Sequence, residues 1–289
     1  MARLLKSFEY LEPRTVEEAV QTLSKHGDKA KVLAGGTDLL ISMKKRQIIP
    51  QYVVYIKGIP DLDYIQYSQE AGLRIGALVT HSAIADSSIV RDKFELLAIA
   101  CGKVGTPQVR NMGTIGGNIC EGGPSQDSIP PLLVLDAKLK LVSSNGERIV
   151  PINEFFIAPF KTALQQAELL TEVQVPAPPP RSAGCYKWAT KITTVDETLV
   201  GVAVLMSLDS TDGTCSDIKI ALCSVAPTPT RARRAEEVLR GKKIDNGLIE
   251  QAAQVAAEEA KPRSRADYRR RMTRVLVREA INETWQRIK

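Results

Sequence analysis

Long apolar runs are missing from these 289 residues, and so are clustered cysteines. No stretch approaches the roughly 18 consecutive apolar residues that a membrane-spanning helix needs, so no such helix is expected. The opening MARLLKSFEY holds no apolar core of a secretory signal, which makes the cytoplasm the expected location. Cys101, Cys120, Cys185, Cys215 and Cys223 are widely spaced, odd in number and form no C-x-x-C pair. Zinc and iron–sulfur sites gather thiolates closely, so the chain is expected to hold no metal of its own. Reduced, mostly buried thiols fit a cytosolic protein. Histidine is scarcer still. His26 and His81 are too few and too far apart for a metal site, and both read as structural. Internal repeats and low-complexity tails are also lacking.

Charge is present but uneven. The net charge is +6, and Arg263, Arg265, Arg269, Arg270, Arg271, Arg274 and Arg278 crowd one C-terminal segment. Such a cluster can bind a phosphate backbone, yet no aromatic interleaving or reading motif accompanies it. A solvated helix face or a subunit contact is the expected role. With 44% hydrophobic residues the chain has an ordinary globular composition, enough for one large domain or two to three small ones.

Glycine is plentiful where it counts. Gly113-Thr114-Ile115-Gly116-Gly117-Asn118 places three glycines in six residues. The run is expected to be a poor helix, because each glycine costs about 1 kcal/mol relative to alanine. It can instead expose backbone N–H groups to a close ligand, typically a phosphate; an ordinary turn is the alternative. An earlier run, Gly35-Gly36-Thr37-Asp38, follows a short β-like segment (30–34) and precedes the apolar Leu39, Leu40 and Met43. Strand, glycine turn, helix is the order that presents free N–H groups to an anion. A third loop, Glu121 to Ser128, carries Asp127 just before the apolar run 129–135. Asp127 could accept from ribose hydroxyls or cap a helix.

The rest of the chain reads as alternating elements. Thr15-Val16-Glu17-Glu18 predicts a capped helix ending at Gly27, and 52–56 a strand. Hairpins are expected around 69–72 and, through Asn145-Gly146, between 139–142 and 148–150. A helix is expected over 94–104, ended by Gly105 and Pro107, and a strand over 169–175. The stiff Pro-Ala-Pro-Pro-Pro run at 176–180 predicts a domain boundary. Beyond it, 186–191, 200–208 and 218–222 alternate as about three antiparallel strands, with a turn at Asp212-Gly213. Helices follow near 231–240, 248–260 and 267–288, the last with Tyr268, Met272, Val275, Leu276 and Ile281 as its buried stripe.

On these residues the chain resembles the flavin-binding (medium) subunits of molybdenum hydroxylases of the carbon monoxide, xanthine and nicotinate dehydrogenase types. The resemblance covers nearly the whole length, through LAGGTDLLISMK (33–44), QVRNMGTIGGNICEGGPSQD (108–127) and KTALQQAELLTEV (161–173). It implies an α+β chain with the vanillyl-alcohol-oxidase-type (PCMH-type) FAD-binding fold. An FAD domain would span 1–175, with subdomains of about 1–57 and 58–175, and a C-terminal domain 181–289. Implied FAD contacts are Lys31, Val32, Leu33, Ala34, Gly35, Gly36, Thr37, Asp38 and Leu39 from the first loop. Val104, Gly105, Gly113, Thr114, Gly116, Gly117, Asn118, Cys120 and Glu121 come from the second. Asp127 corresponds to the acidic residue at the adenosine ribose, Leu170 to a position near the adenine, and Lys187 to a lysine near the isoalloxazine. The family's Ser-Arg-Arg appears here as Thr190-Lys191-Ile192, which puts a partner role for Asp196 in doubt. No iron–sulfur insertion of the benzoyl-CoA reductase branch is present. The implied assembly is a dimer of heterotrimers, with a small subunit carrying two [2Fe–2S] clusters and a large molybdopterin subunit. Electrons would pass through FAD to NAD, a quinone or oxygen, and no catalytic side chain of this chain is implied. A stand-alone FAD-dependent oxidoreductase of the same fold, or a nucleic-acid-binding or scaffold protein, is the rival reading.

Overall fold

A threonine starts the first helix. Thr15 Oγ1 accepts the Glu18 N–H at 3.2 Å and opens Val16–His26, which buries Ala19, Val20 and Leu23. In the computed structural model, which describes residues 4–192, 197–209 and 213–288, this helix carries the chain from the strand Glu9–Leu11 to Ala30–Leu33. The short helix Leu39–Lys44 then leads to Tyr52–Tyr55. Parallel neighbours need such crossovers, and the three strands form a parallel sheet with Tyr52–Tyr55 in the centre.

The second sheet is antiparallel. Its order is Ile65–Ser68, Gly72–Gly76, Leu169–Val175, Lys138–Ser143 and Gly146–Pro151. Both expected hairpins are here. Six helices are inserted between Gly72–Gly76 and Lys138–Ser143, and their Phe94, Leu97, Ile115, Ile119 and Leu132 fill the central core.

The C-terminal sheet has four strands among the described residues, one more than expected: Ser182–Thr190, Thr198–Leu208, Cys215–Cys223 and Thr230–Arg231. After Pro227 and Pro229 the chain returns for two residues to pair with Ala221 and Leu222. Thr198–Leu208 is buried on both faces. Val200, Val202, Val204 and Met206 meet the C-terminal helices, while Ala203 and Leu205 belong to the central core. A strand covered on both faces loses its need for polar alternation.

Three local expectations change. Pro107 does not merely end a helix; it occupies the first turn of a new one, Pro107–Met112, where its missing N–H costs nothing. The stripe of Ala266–Ile288 is Thr273, Leu276, Val277, Ala280, Ile281 and Thr284, and Tyr268 is 38% exposed. Helical geometry puts 273, 276/277, 280/281 and 284 on one side, and 268 lies off that line. Arg269 does not face solvent but donates to the carbonyls of Leu199 and Ser224. The turn expected at Asp212-Gly213 lies partly outside the described residues.

The largest correction concerns 113–118. Ile115–Glu121 is a helix, capped by Thr114 Oγ1 accepting the Gly117 N–H. Tertiary contact overrides the glycine propensity. A Cβ on Gly116 would stand 2.7 Å from both the Cβ and the carbonyl oxygen of Ala77, so only glycine lets the helix reach that backbone. Gly116→Ala should therefore destabilise the protein by about 1–3 kcal/mol through overpacking, although alanine is the better helix former. Urea denaturation measures it; an unchanged or raised midpoint would show that the contact relaxes freely.

Candidate functional site

The first glycine loop leaves the parallel sheet with its donors unspent. Strand Ala30–Leu33 stops, Gly36 turns with φ 73°, and Leu39–Lys44 begins without a side-chain cap. Thr37 Oγ1 donates to the neighbouring Asp38 carboxylate at 3.2 Å instead of capping. No N–H from Gly35 to Leu39 has a hydrogen-bond partner among the described residues. Five consecutive unpaired donors at a turn are an anion seat. The helix behind them is short, so the N–H groups themselves carry the attraction. Lys31 and Asp38 are exposed, while Val32, Leu33 and Ala34 are half-buried.

The second loop has spent its donors. Ile115 N–H bonds to Val79 O, Gly116 to Ala77 O, Asn118 to Thr114 O and Gly117 to Thr114 Oγ1. Glycines of both loops serve close approach. A Cβ on Gly35 would stand 2.1 Å from Met112 O and 2.9 Å from Gly113 Cα, so the two loops meet backbone to backbone. Thr37 Oγ1 lies 3.6 Å from where a Gly113 Cβ would be. Gly117 alone of the run is exposed. Before it, Val104 and Gly105 are stapled by Arg110, whose Nη1 donates to both carbonyls at 3.2 and 3.0 Å.

The third loop is braided onto the second. Ser128 Oγ donates to Asn118 Oδ1 at 2.6 Å, and Gln126 Nε2 donates to Asn118 O and to Glu121 Oε2. Glu121 also accepts from Gly123 N–H. Burial, then the negative charge of Asp38, raises its carboxyl above the usual range. Burial pushes the Cys120 thiol up to about 12, so it is neutral. Asp127 caps no helix. It is 7% exposed, and its Oδ1 accepts from Tyr186 Oη and Thr198 Oγ1, both at 2.6 Å.

Two expected contacts lie apart from these loops. Leu170 is buried in the central core, at the register shift of its strand. Lys187 alternates with Tyr186 along Ser182–Thr190 and turns to the other face, where Nζ pairs with Glu283 at 2.5 Å. The structure does not bring Lys187 together with the glycine loops. Asp196 lies outside the described residues.

His81 was legible only as structural, yet it joins the site. Its N–H donates to Gly113 O, its Cδ2 lies 3.4 Å from a Gly113 Cβ position, and its Nδ1 is buried with no partner among the described residues. Nothing in the sequence marks this histidine as a neighbour of the second glycine loop.

Comparison with known proteins agrees with this geometry. Residues 6–178 match the model of the FAD binding domain in molybdopterin dehydrogenase, and 185–284 that of the CO dehydrogenase flavoprotein C-terminal domain. The chain is 36% identical to the carbon monoxide dehydrogenase medium chain of Hydrogenophaga pseudoflava, over 97% of this chain and 98% of that one. It is 32% identical to the xanthine dehydrogenase FAD-binding subunit of Escherichia coli O157:H7, over 95% and 94%. Solved structures of carbon monoxide dehydrogenase from Hydrogenophaga pseudoflava (TM-score 0.93, 37% identity, 98% and 99% covered) and of quinoline 2-oxidoreductase from Pseudomonas putida 86 (0.90, 28%, 99% and 99%) share its fold. The chain belongs to the family of FAD-binding medium subunits of molybdenum hydroxylases. It has their PCMH-type fold, binds FAD and is the flavoprotein part of an oxidoreductase. The unpaired N–H row at 35–39, with no Cβ between it and Gly113, fits the diphosphate of that dinucleotide.

Burial, helped by the Arg110 charge, lowers His81 from 6.5 to about 4. The folded state refuses a proton that the unfolded chain takes below pH 6.5. Stability is therefore lost as pH falls, by about 3 kcal/mol at pH 4. His81→Asn should lack this loss. Urea unfolding at pH 7 and pH 4 should show the difference between the two proteins changing by that amount; a constant difference would show that His81 does not titrate so.

Proposed function

We propose that this chain is the electron-transfer subunit of a molybdenum hydroxylase complex, and that the row of free N–H groups from Gly35 to Leu39, butted against Met112 and Gly113, holds the FAD pyrophosphate. That row is the observation that carries the reading. FAD, when bound, takes up electrons singly and passes them on. Everything this chain's own residues do is binding, orientation and shielding, in keeping with the general division of labour in cofactor enzymes.

The donors of the first loop, flanked by Lys31, Val32, Leu33 and Ala34, seat the diphosphate. Gly113, Thr114, Gly116, Gly117 and Asn118 form the opposing wall, with Val104 and Gly105 above and Cys120 and Glu121 at its end. Asp127 accepts from the ribose hydroxyls. Electrons arrive from the [2Fe–2S] clusters of a small partner subunit and leave to an external acceptor such as NAD, a quinone or oxygen. A large molybdopterin subunit oxidises the substrate. The names of the relatives support this assembly, since they are medium chains or FAD subunits of dehydrogenases. Assembly as a dimer of heterotrimers in the cytoplasm completes the reading. No helix among the described residues is long and apolar enough to cross a membrane.

Purification from the native source tests it. Iron, molybdenum and flavin should co-elute with this chain; flavin alone would favour a stand-alone flavoenzyme. Gly117→Val tests the wall. A Cβ there would stand 2.9 Å from Thr114 Oγ1, the cap of the helix, so the flavin content is read on variant protein whose circular dichroism matches the parent. The branched side chain would stand on the ligand side, and FAD should be lost. A folded variant with a full flavin-to-protein ratio would sink the assignment.

A further inference from the structure

Asp127 is an odd residue to leave to a ligand alone. It sits ahead of the helix Ile129–Val134, nearly out of solvent, yet both hydrogen bonds it receives come from the C-terminal sheet. Tyr186 lies on Ser182–Thr190 and Thr198 on the adjacent Thr198–Leu208. Both donate to Oδ1, and Oδ2 takes no hydrogen bond among the described residues. The tyrosine itself is tightly placed. Its ring stacks on Trp188 with centroids 5.8 Å apart, and Lys103 covers Trp188 at 4.3 Å. Opposite the phenol the chain is glycine. A Cβ on Gly201 would meet Tyr186 Oη at 2.7 Å and Cys223 Sγ at 2.5 Å. The sheet thus spares a side chain to make room for this hydroxyl.

We propose that Tyr186 and Thr198 are positioning residues for FAD: they occupy Asp127 Oδ1 and leave Oδ2 free for the hydroxyl donors of the cofactor, so that the C-terminal domain helps hold a ligand whose loops lie in the N-terminal one. This rests on the ribose role of Asp127 above. With Oδ1 engaged and the side chain 7% exposed, Oδ2 is the oxygen left for further donors, and a ribose diol supplies two. The proposal makes cofactor affinity depend on groups that need not touch the cofactor.

The ionised form is the acceptor. Burial raises the Asp127 carboxyl, and the donors Thr198 and Tyr186 and the charge of Lys103 bring it down, against Glu197. The other titratable groups facing it are the thiols of Cys101 and Cys223, both held protonated by burial. Removing a donor raises the carboxyl further, so binding should fail at a higher pH.

The full chain, stripped of flavin, would be titrated with FAD by fluorescence between pH 5 and 8. Asp127→Asn should bind weakly with a flat pH profile. Tyr186→Phe and Thr198→Val should bind at least about tenfold more weakly than the parent at pH 6, with the midpoint of FAD binding moved to higher pH. Thr198→Ser, which keeps the hydroxyl, should behave as the parent, a rescue that a mere loss of packing would not give. If the tyrosine variant does not fold, the threonine pair carries the test alone. Folded Thr198→Val with parental affinity and midpoint would overturn the positioning role. Parental binding by Asp127→Asn would overturn the ribose role first, and the proposal with it.

Discussion

Everything at the site depends on one close approach of backbone to backbone. Gly35, at the end of the parallel sheet, lies against Met112 and Gly113, at the end of a helix from the inserted helical block. Any Cβ at Gly35 would sit well inside van der Waals contact with a carbonyl oxygen. Two segments about eighty residues apart are held in register by the absence of one carbon. The N–H groups next to that contact stay free because the turn is too tight to fold back on itself. Half-buried donors without partners among the described residues are unfavourable, a cost that the anion proposed above would remove.

The two glycine loops look alike in sequence but do different physical work. In the first, Gly35 meets Met112 and Gly113, and the N–H groups from Gly35 to Leu39 have no partner among the described residues. In the second, glycine lets a helix start against the backbone of Ala77 and Val79, and the donors go to the protein itself. This difference was not legible in the sequence, because glycine density reports freedom of approach without saying what approaches. The helix Ile115–Glu121 was missed for the same reason. Propensity counts each glycine as a loss, and the compensating contact comes from residues forty positions earlier.

Much else was legible. Thr15 and Asn145-Gly146 mark their elements by local hydrogen-bonding chemistry, and those elements form where the local code puts them. The alternation of Val202, Val204 and Met206 correctly gave one face of a strand. The opposite face, Ala203 and Leu205, is also apolar because it closes the central core, something no local pattern distinguishes from a helix interior. Side chains fixed by long-range partners were the least readable. Lys187 is committed to Glu283, and Asp127 to Tyr186 and Thr198, by pairings 59 to 96 positions apart.

The doubly buried strand Thr198–Leu208 has a consequence for how the protein is made. The helix Glu95–Lys103 is covered by Ser182–Thr190, and Ile129–Val134 by Thr198–Leu208 and Cys215–Cys223, so their apolar surface is closed only when residues beyond 181 arrive. During synthesis at some 5–20 residues per second, that surface faces water for several seconds after it has left the ribosome. The nascent chain passes through an interval in which two-thirds of it is complete and its main core is open on one side. Chaperone capture of that intermediate, and aggregation of chains truncated before the sheet, follow from the order of the sequence alone.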